Sequence, residues 1–229
     1  LEYIPAPVEP EGKIIWARLW ASAYGYHKAF DLLQSVWQED PAMISEDILR
    51  IAYPKEFISL IEVEAKRTKI NPLLVLSLVR QESTFRPEAL SPATAMGLMQ
   101  VVPNTAREVA GDMRLKSYQS PVDLFTPDVN IKIGSTYLQR LLRASEGNVP
   151  LALAMYNAGI GNVRNWLIHR DDLKDLKTNA TSKIEAEIWF DELPWLETSG
   201  YIKSILRNYI IYKYLDQPDQ PLNEPIWRI

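Results

Sequence analysis

Glu82 closes a run of residues whose spacing puts a carboxyl group where water is scarce. On a helix turning about 100° per residue, Val75, Leu78 and Val79 stand seven, four and three positions before it and share its side. Removing a carboxylate from water raises its pKa, which suits a general acid working near neutrality. A plainer reading is also open, an ion pair with Arg80, Arg86 or Arg107 at a helix end. Three other clusters carry usable chemistry. Gly97-Leu98-Met99-Gln100 pairs a glycine that lets a ligand approach the backbone with an amide that bonds hydroxyl groups such as a sugar carries. The same four residues also read as a glycine turn followed by core Leu and Met. Tyr156-Asn157-Ala158-Gly159 ends an apolar helix with a phenol able to bond a buried acid, or else with a core Tyr and a glycine C-cap. Glu197-Thr198 opens a helix after Pro194, where the dipole favours a carboxylate in any case.

Composition removes the competing chemistries. With no Cys and two His (His27 and His169), cysteine nucleophiles, disulfide frameworks and Cys- or His-rich zinc sites are excluded. No GxSxG elbow supplies a serine, and no D-x-[DN]-x-[DN]-G run suggests an EF-hand calcium loop. A net charge of −4 gives no basic footprint for nucleic acid. The longest strongly apolar run, Pro72 to Val79, falls far short of the ~20 residues that span a bilayer, so no transmembrane segment is expected. What remains is chemistry by carboxylates, amides and phenols, which by itself requires neither cofactor nor metal.

The elements that must position these groups read as helices throughout. Leu1 to Glu11, with three prolines, is expected to be an extended arm. Ile14 to Trp37 has helical spacing broken at Gly25, and its Trp16…Tyr24-Gly25-Tyr26…Ala29 pattern is compatible with a helix-turn-helix repeat. A short helix over Ser45 to Tyr53 stops at Pro54, where a boundary divides 1–54 from 55–229. Lys55 to Thr68 reads as a half-exposed helix, and Asn71-Pro72 caps another that runs to about Thr84. Further helices are predicted over Pro103 to Val109, Asp128 to Arg143, Val149 to Asn157, Val163 to His169, Lys183 to Phe190 and Trp195 to Leu215. Only a short β element around Ala93 to Met96 interrupts an all-α class. The chain starts at Leu1 without an initiator Met, and the expectation is a removed signal or a piece of a longer protein.

Taken in order, the motifs acquire a specificity that none has alone. Arg80-Gln81-Glu82-Ser83, Ser91-Pro92-Ala93, Gly97-Leu98-Met99-Gln100, Asn130-Ile131…Gly134…Tyr137-Leu138, Tyr156-Asn157-Ala158-Gly159 and Glu197-Thr198…Tyr201 resemble the soluble lytic transglycosylase family. The match runs from about Ala52 to Leu215 and is nearest the periplasmic soluble branch. The resemblance implies a lysozyme-like fold over 55–229, preceded by a helical scaffold segment. It also implies cleavage of the β-1,4 bond between N-acetylmuramic acid and N-acetylglucosamine in peptidoglycan, leaving a 1,6-anhydromuramoyl end.

By resemblance, Glu82 is the single catalytic acid and base, and Tyr156 hydrogen-bonds and orients it. Ser91 and Gln100 contact substrate, Met99 walls the cleft, and Asn157 and Glu197 lie in the groove. Peptidoglycan strands, and cell-wall enzymes as recruiting partners, follow from the family, with a monomer in the periplasm, possibly tethered by a part outside this chain, as the expectation. Two departures stand out. Ser199 occupies a position that is often Arg, which puts that residue's contacts in doubt, and Val102 one that is often Met, where a β-branched side chain stiffens the cleft. A goose-type lysozyme on the same bond and a non-catalytic peptidoglycan-binding scaffold are the alternatives.

Overall fold

Helix follows helix through the described residues, which are 5–170, 173 and 189–218 of the computed structural model. In chain order they are α1 (Pro10–Ser22), α2 (Tyr26–Glu39), α3 (Glu46–Ala52), α4 (Ile58–Thr68), α5 (Pro72–Ser83), α6 (Pro103–Met113), α7 (Pro127–Ala144), α8 (Val149–Ala158), α9 (Ile160–Ile168) and α10 (Leu196–Asp216). Proline sits in the first turn of α1, α5, α6, α7 and α8. Its missing N–H costs nothing there, because the first amides of a helix have no intrahelical partner. Asn71 and Asn148 supply the caps, accepting the N–H groups of Leu73 and Leu151 at 2.9 Å each.

The all-α class holds, and strand geometry among the described residues is confined to isolated bridges, Leu90 to Met96 and Met96 to Val101. Several boundaries differ from expectation, α6 running four residues past Val109 to Met113 and α4 starting at Ile58 instead of Lys55. The extended arm is shorter, because Pro10 and Glu11 already begin α1. Residues 1–4, also assigned to the arm, lie outside the described residues. Of the helix expected over Lys183 to Phe190, residues 183–188 lie outside them as well, and Trp189–Glu192 form a 3₁₀ turn. Finally, α9 starts three residues before Val163, directly after Gly159, whose φ of +87° lets α8 end and α9 begin without a linker.

The core centres on α5 and α8, which are apolar on nearly every side. Leu74 to Val79 and Val149 to Met155 are all buried, and α10, α7 and α4 pack around them. The helices before Pro54 join the same core. Tyr26 stacks edge-on against Phe85 at 5.6 Å and donates to Glu56 Oε2 at 2.8 Å. The Arg80 guanidinium lies over the rings of Tyr53 (4.0 Å) and Phe30 (4.5 Å). It donates to the Ala52 carbonyl (2.9 Å) and to Asn208 Oδ1 (3.1 Å). One cation thus joins α2, the end of α3, α5 and α10 through ring faces and neutral acceptors. Burial pulls its pKa down.

A second polar node ties the loop after α5 to the core. Asn130, fully buried on α7, donates from Nδ2 to the carbonyls of Met96 and Leu124 and accepts the Met99 N–H, each at 2.8 Å. Gly97 is needed beside it for two reasons. Its φ is +74°, and an added Cβ would stand 2.1 Å from Leu124 O and 2.3 Å from Asn130 Nδ2. The expectation that this glycine makes room for a ligand is therefore corrected: what approaches is the protein's own backbone and amide. Replacing Asn130 by Ala takes the partner from the Met99 N–H and the Leu124 carbonyl, at about 1–3 kcal/mol each when unsatisfied, while the Met96 carbonyl keeps the Val101 N–H at 3.0 Å. The expected loss in urea unfolding is at least about 2 kcal/mol, and a loss under about 1 kcal/mol would show that the node is dispensable.

Candidate active site

Glu82 occupies the last turn of α5, where the helix stops because Thr84 and Phe85 take left-handed φ values of 49° and 62°. The residue is half-buried, and its carboxyl meets α10 through a hydrogen bond of 2.5 Å donated by Tyr201 Oη to Oε1. Burial drives the Glu82 pKa up to about 7, against the smaller opposing effect of the Tyr201 hydrogen bond. The two phenols in the same neighbourhood, Tyr156 and Tyr201, are pushed well above their usual range by burial and next by the charge of Glu82. An acid half protonated near pH 7, beside two phenols that stay neutral, can give a proton and take one back.

The ion-pair reading of Glu82 does not hold. Arg80 is committed to Ala52 and Asn208, Arg86 Nε reaches the Ser83 carbonyl at 3.3 Å, and Arg107 Nη1 reaches Asn104 Oδ1 at 3.3 Å. No arginine contributes to the Glu82 shift, whose causes are burial and Tyr201.

The expected bond from Tyr156 to Glu82 is also corrected. Tyr156 Oη donates to the Met99 carbonyl at 2.7 Å, and its ring rests on Tyr137 at 5.3 Å. Asn130 holds the Met99 N–H, so that residue's backbone is fixed and its carbonyl is offered to the phenol instead. Tyr156 therefore feels the charge of Glu82 without bonding it, and Tyr201 is the residue that grips the carboxyl. Tyr201 belongs to the last of the ordered motifs, where Glu197 is the residue with the expected role. Its signal was its position: a tyrosine one helical turn beyond Glu197, at the start of a helix rich in apolar residues.

Met99 is likewise relocated. Its side chain is wholly buried against Gly134, where an added Cβ would lie 2.5 Å from Sδ, so it lies beneath the site rather than in a cleft wall. Gln100, at a left-handed φ of 47°, spends its Nε2 on the carbonyls of Ala89 (3.1 Å) and Gly97 (2.8 Å). Its Oε1 has no partner among the described residues and is left as an acceptor. Ser91 Oγ accepts the Ala95 N–H at 3.0 Å and keeps its own proton to donate. Asn157 is exposed and accepts from Thr198 Oγ1 at 2.7 Å, which joins the end of α8 to the start of α10. Glu197 is exposed in the first turn of α10. Of the two departures, Ser199 is buried and bonds Asp191 at 3.3 Å, while Val102 is 40% exposed at the N-cap of α6. Among the described residues no cluster of three or more His, Asp or Glu could hold a metal ion, and no helix is long and apolar enough to cross a membrane.

Comparison with known proteins follows the same outline. A sequence profile described as the transglycosylase SLT domain matches residues 59–179. The soluble lytic murein transglycosylase of Escherichia coli K12 is 33% identical over 174 residues, 75% of this chain and 25% of that protein. The membrane-bound lytic murein transglycosylase C of Haemophilus influenzae PittEE is 30% identical over 69% of this chain and 44% of its own. Among solved structures, the 70 kDa soluble lytic transglycosylase of Escherichia coli superposes with a TM-score of 0.75 at 26% identity, covering 91% of this chain and 31% of that one. An inactive glutamate-to-glutamine mutant of lytic transglycosylase Slt from Pseudomonas aeruginosa gives 0.77 at 29% identity, covering 96% and 33%. The chain spans about a quarter of the length of the soluble curated relatives it matches.

The raised pKa of Glu82 has a consequence for stability. A carboxyl that ionises near 7 when folded but near 4.5 when unfolded stabilises the fold below 4.5, and that contribution is lost as pH rises from 4.5 through 7. Glu82→Gln removes the titration and keeps an acceptor for Tyr201. The variant should therefore be more stable than wild type at pH 8, by up to about 3 kcal/mol, and the gap should close towards pH 4. Thermal melts across that range check it; parallel curves would place the acid in a wetter environment.

Proposed function

The chain belongs to the transglycosylase SLT domain family, and on that premise we propose that it is the catalytic part of a lytic murein transglycosylase. The reaction is cleavage of the β-1,4 bond between N-acetylmuramic acid and N-acetylglucosamine, with a 1,6-anhydromuramoyl end as product. The observation that carries this reading is the single carboxyl of Glu82, held near pKa 7 by burial and gripped by a neutral phenol. The relatives' names support the substrate, and the inactive glutamate mutant among the solved structures supports dependence on one acid.

Below pH 7 Glu82 carries a proton that it donates to the glycosidic oxygen as the bond to the muramoyl C1 breaks. The substrate's own N-acetyl group stabilises the cationic carbon. The carboxylate then takes the proton of the muramoyl 6-hydroxyl as that oxygen closes on C1, which returns Glu82 to its starting state. Glycosidases that activate water or form a covalent intermediate use two carboxylates at a set separation. Here the nucleophile belongs to the substrate, its effective concentration is high, and one carboxyl suffices. No carboxylate among the described residues bears on the titration of Glu82, which agrees with that economy.

In this scheme Tyr201 steadies the carboxylate and Tyr156 holds the Met99 carbonyl beneath it. Gln100 Oε1 and the Ser91 hydroxyl face sugar, and Asn157 and Glu197 border the groove where α8 meets α10. The helices of 1–54 serve as scaffold through Arg80. The setting is the bacterial periplasm, with the glycan strand as partner and a monomer as the working form.

Two measurements test the assignment. Glu82→Gln should lose turnover of purified sacculi by at least about 10³-fold while the fold persists, and mass spectrometry of wild-type digests should give anhydro ends as primary products. Primary products heavier by one water would make the enzyme a hydrolase, and retained activity in the variant would move the acid elsewhere. In wild type kcat/KM should fall as pH rises past about 7, where Glu82 ionises. Tyr201→Phe removes a hydrogen bond that favours the carboxylate, so the alkaline limb should move to higher pH; a downward shift would contradict that role.

A further inference from the structure

Helix α5 ends at Ser83, one residue past the acid, and the chain leaves it through two consecutive left-handed residues, Thr84 at φ 49° and Phe85 at φ 62°. Glycine or asparagine usually takes such a place at a helix end, and a β-branched or bulky residue is strained there. Strain of this kind persists only where the surroundings hold it. The local hydrogen bonds are ordinary. Thr84 N–H reaches the Arg80 carbonyl at 3.2 Å, and Arg86 N–H reaches the Ser83 carbonyl at 3.1 Å. What fixes Phe85 is burial: it is 3% exposed, and its ring meets that of Tyr26 on α2 edge-on at 5.6 Å. The turn also decides where that ring goes. Had α5 run on, Phe85 would stand three positions after Glu82 and share its side of the helix. Instead Phe85 reaches α2, and the carboxyl is left to Tyr201. Tyr26 is itself held. It is buried, its hydroxyl donates to Glu56 Oε2 at 2.8 Å, and its ring lies 6.4 Å from Phe30, the ring beneath the Arg80 guanidinium. Positions 80 and 85 bracket the acid, and α2 reaches both through these rings.

We infer that Tyr26 is a positioning residue for the reaction: by clamping Phe85 it holds the strained turn after Glu82 and so fixes the carboxyl against Tyr201. This role rests on Glu82 being the acid, as proposed above. Without the ring of Tyr26, the last turn of α5 frays, water reaches the carboxyl, and Tyr201 no longer meets it in one geometry. A misplaced acid costs turnover even where substrate binds as before. The titratable groups that bear on this carboxyl are Tyr201 of α10 and Tyr156 of α8, whose phenols burial pushes well up. Burial and Tyr201 alone set the Glu82 shift, so neither Tyr26 nor Glu56 enters it by charge. Burial, and then the Glu56 hydrogen bond, push the Tyr26 hydroxyl up as well. A changed titration of Glu82 in a Tyr26 variant therefore reports position and hydration, not a lost charge.

Tyr26→Ala, Tyr26→Phe and Leu33→Ala, each made in the full chain, test this. Leu33 is wholly buried two turns along α2 and controls for general loss of stability. Tyr26→Ala should lower kcat on murein strands at least about tenfold and leave KM within about twofold of wild type. By carbon NMR of the side-chain carboxyl, its Glu82 pKa should fall from about 7 to about 6 or below. Amide exchange at Thr84 and Arg86 should quicken more than in α8. Tyr26→Phe keeps the ring and should hold kcat and the titration near wild type. Leu33→Ala should lower the melting temperature and leave both unchanged. Should Tyr26→Ala fail to fold, Phe85→Leu trims the other half of the contact and should move kcat and the titration in the same directions. Wild-type kcat, a wild-type titration, or a loss carried by KM overturns the role. So does a Leu33→Ala chain as impaired as Tyr26→Ala, which would make the effect one of stability. A Tyr26→Phe chain no better than Tyr26→Ala also overturns it, by moving the effect to the Glu56 bond. Absence of turnover by wild type would sink the catalytic reading alone, since the titration and the amide exchange do not depend on it.

Discussion

The antiparallel contact between α5 and α10 is the constraint on which the site depends. Asn71 Nδ2 meets Tyr209 Oη at 3.2 Å, the Ser77 carbonyl and Arg80 meet Asn208, and Glu82 meets Tyr201. Going forward along α5, the partners run backward along α10, so polar pins lie along a seam that is otherwise apolar. Sliding one helix by a turn would cost all of them and would leave Asn208, which is wholly buried, unsatisfied. The register that satisfies Asn208 is also the register that puts a phenol on the acid.

That seam explains why an expensive group is tolerated. Holding a carboxyl in surroundings that raise its pKa to about 7 works against folding at neutral pH. The cost is carried by a core in which α5 and α8 are buried almost all round. Arg80, two residues before the acid, adds a cation whose hydrogen bonds go to a carbonyl and an amide and not to the carboxyl. If Arg80 paired with Glu82 it would favour the ionised form and spoil a general acid. Phe30, Tyr53 and Ala52 keep it occupied, so the N-terminal helices help to hold Arg80 away from the Glu82 carboxyl.

Asn130 plays the matching part for the loop between α5 and α6. Its three hydrogen bonds fix Met96, Met99 and the approach of Leu124, and Gly97 is the residue that leaves room for them. Through Met99 the same node presents a carbonyl to Tyr156. Gln100 follows directly and leaves the loop with one free acceptor. A rigid core on one side and a pinned loop on the other give a site whose parts come from α5, α8, α10 and one turn.

Much of this was legible in the residues. The prolines and Asn71 fixed where helices begin, because capping and N1 preferences act over a few residues. The period of Val75, Leu78, Val79 and Glu82 put an acid on an apolar stripe, and ordered motifs pointed to a family. What remained hidden was which partner each group chose. Tyr156 and Tyr201 are both buried phenols near Glu82, and only the packing of helices 119 residues apart decides that Tyr201 reaches the carboxyl. Met99 looked like a cleft residue and is core, because Gly134 on α7 opens a slot for its sulfur. Helix, cap and pattern are set by short-range hydrogen bonding and periodicity, which sequence records directly. The pairing of donors and acceptors across helices depends on register and burial, and those exist only once the chain has folded.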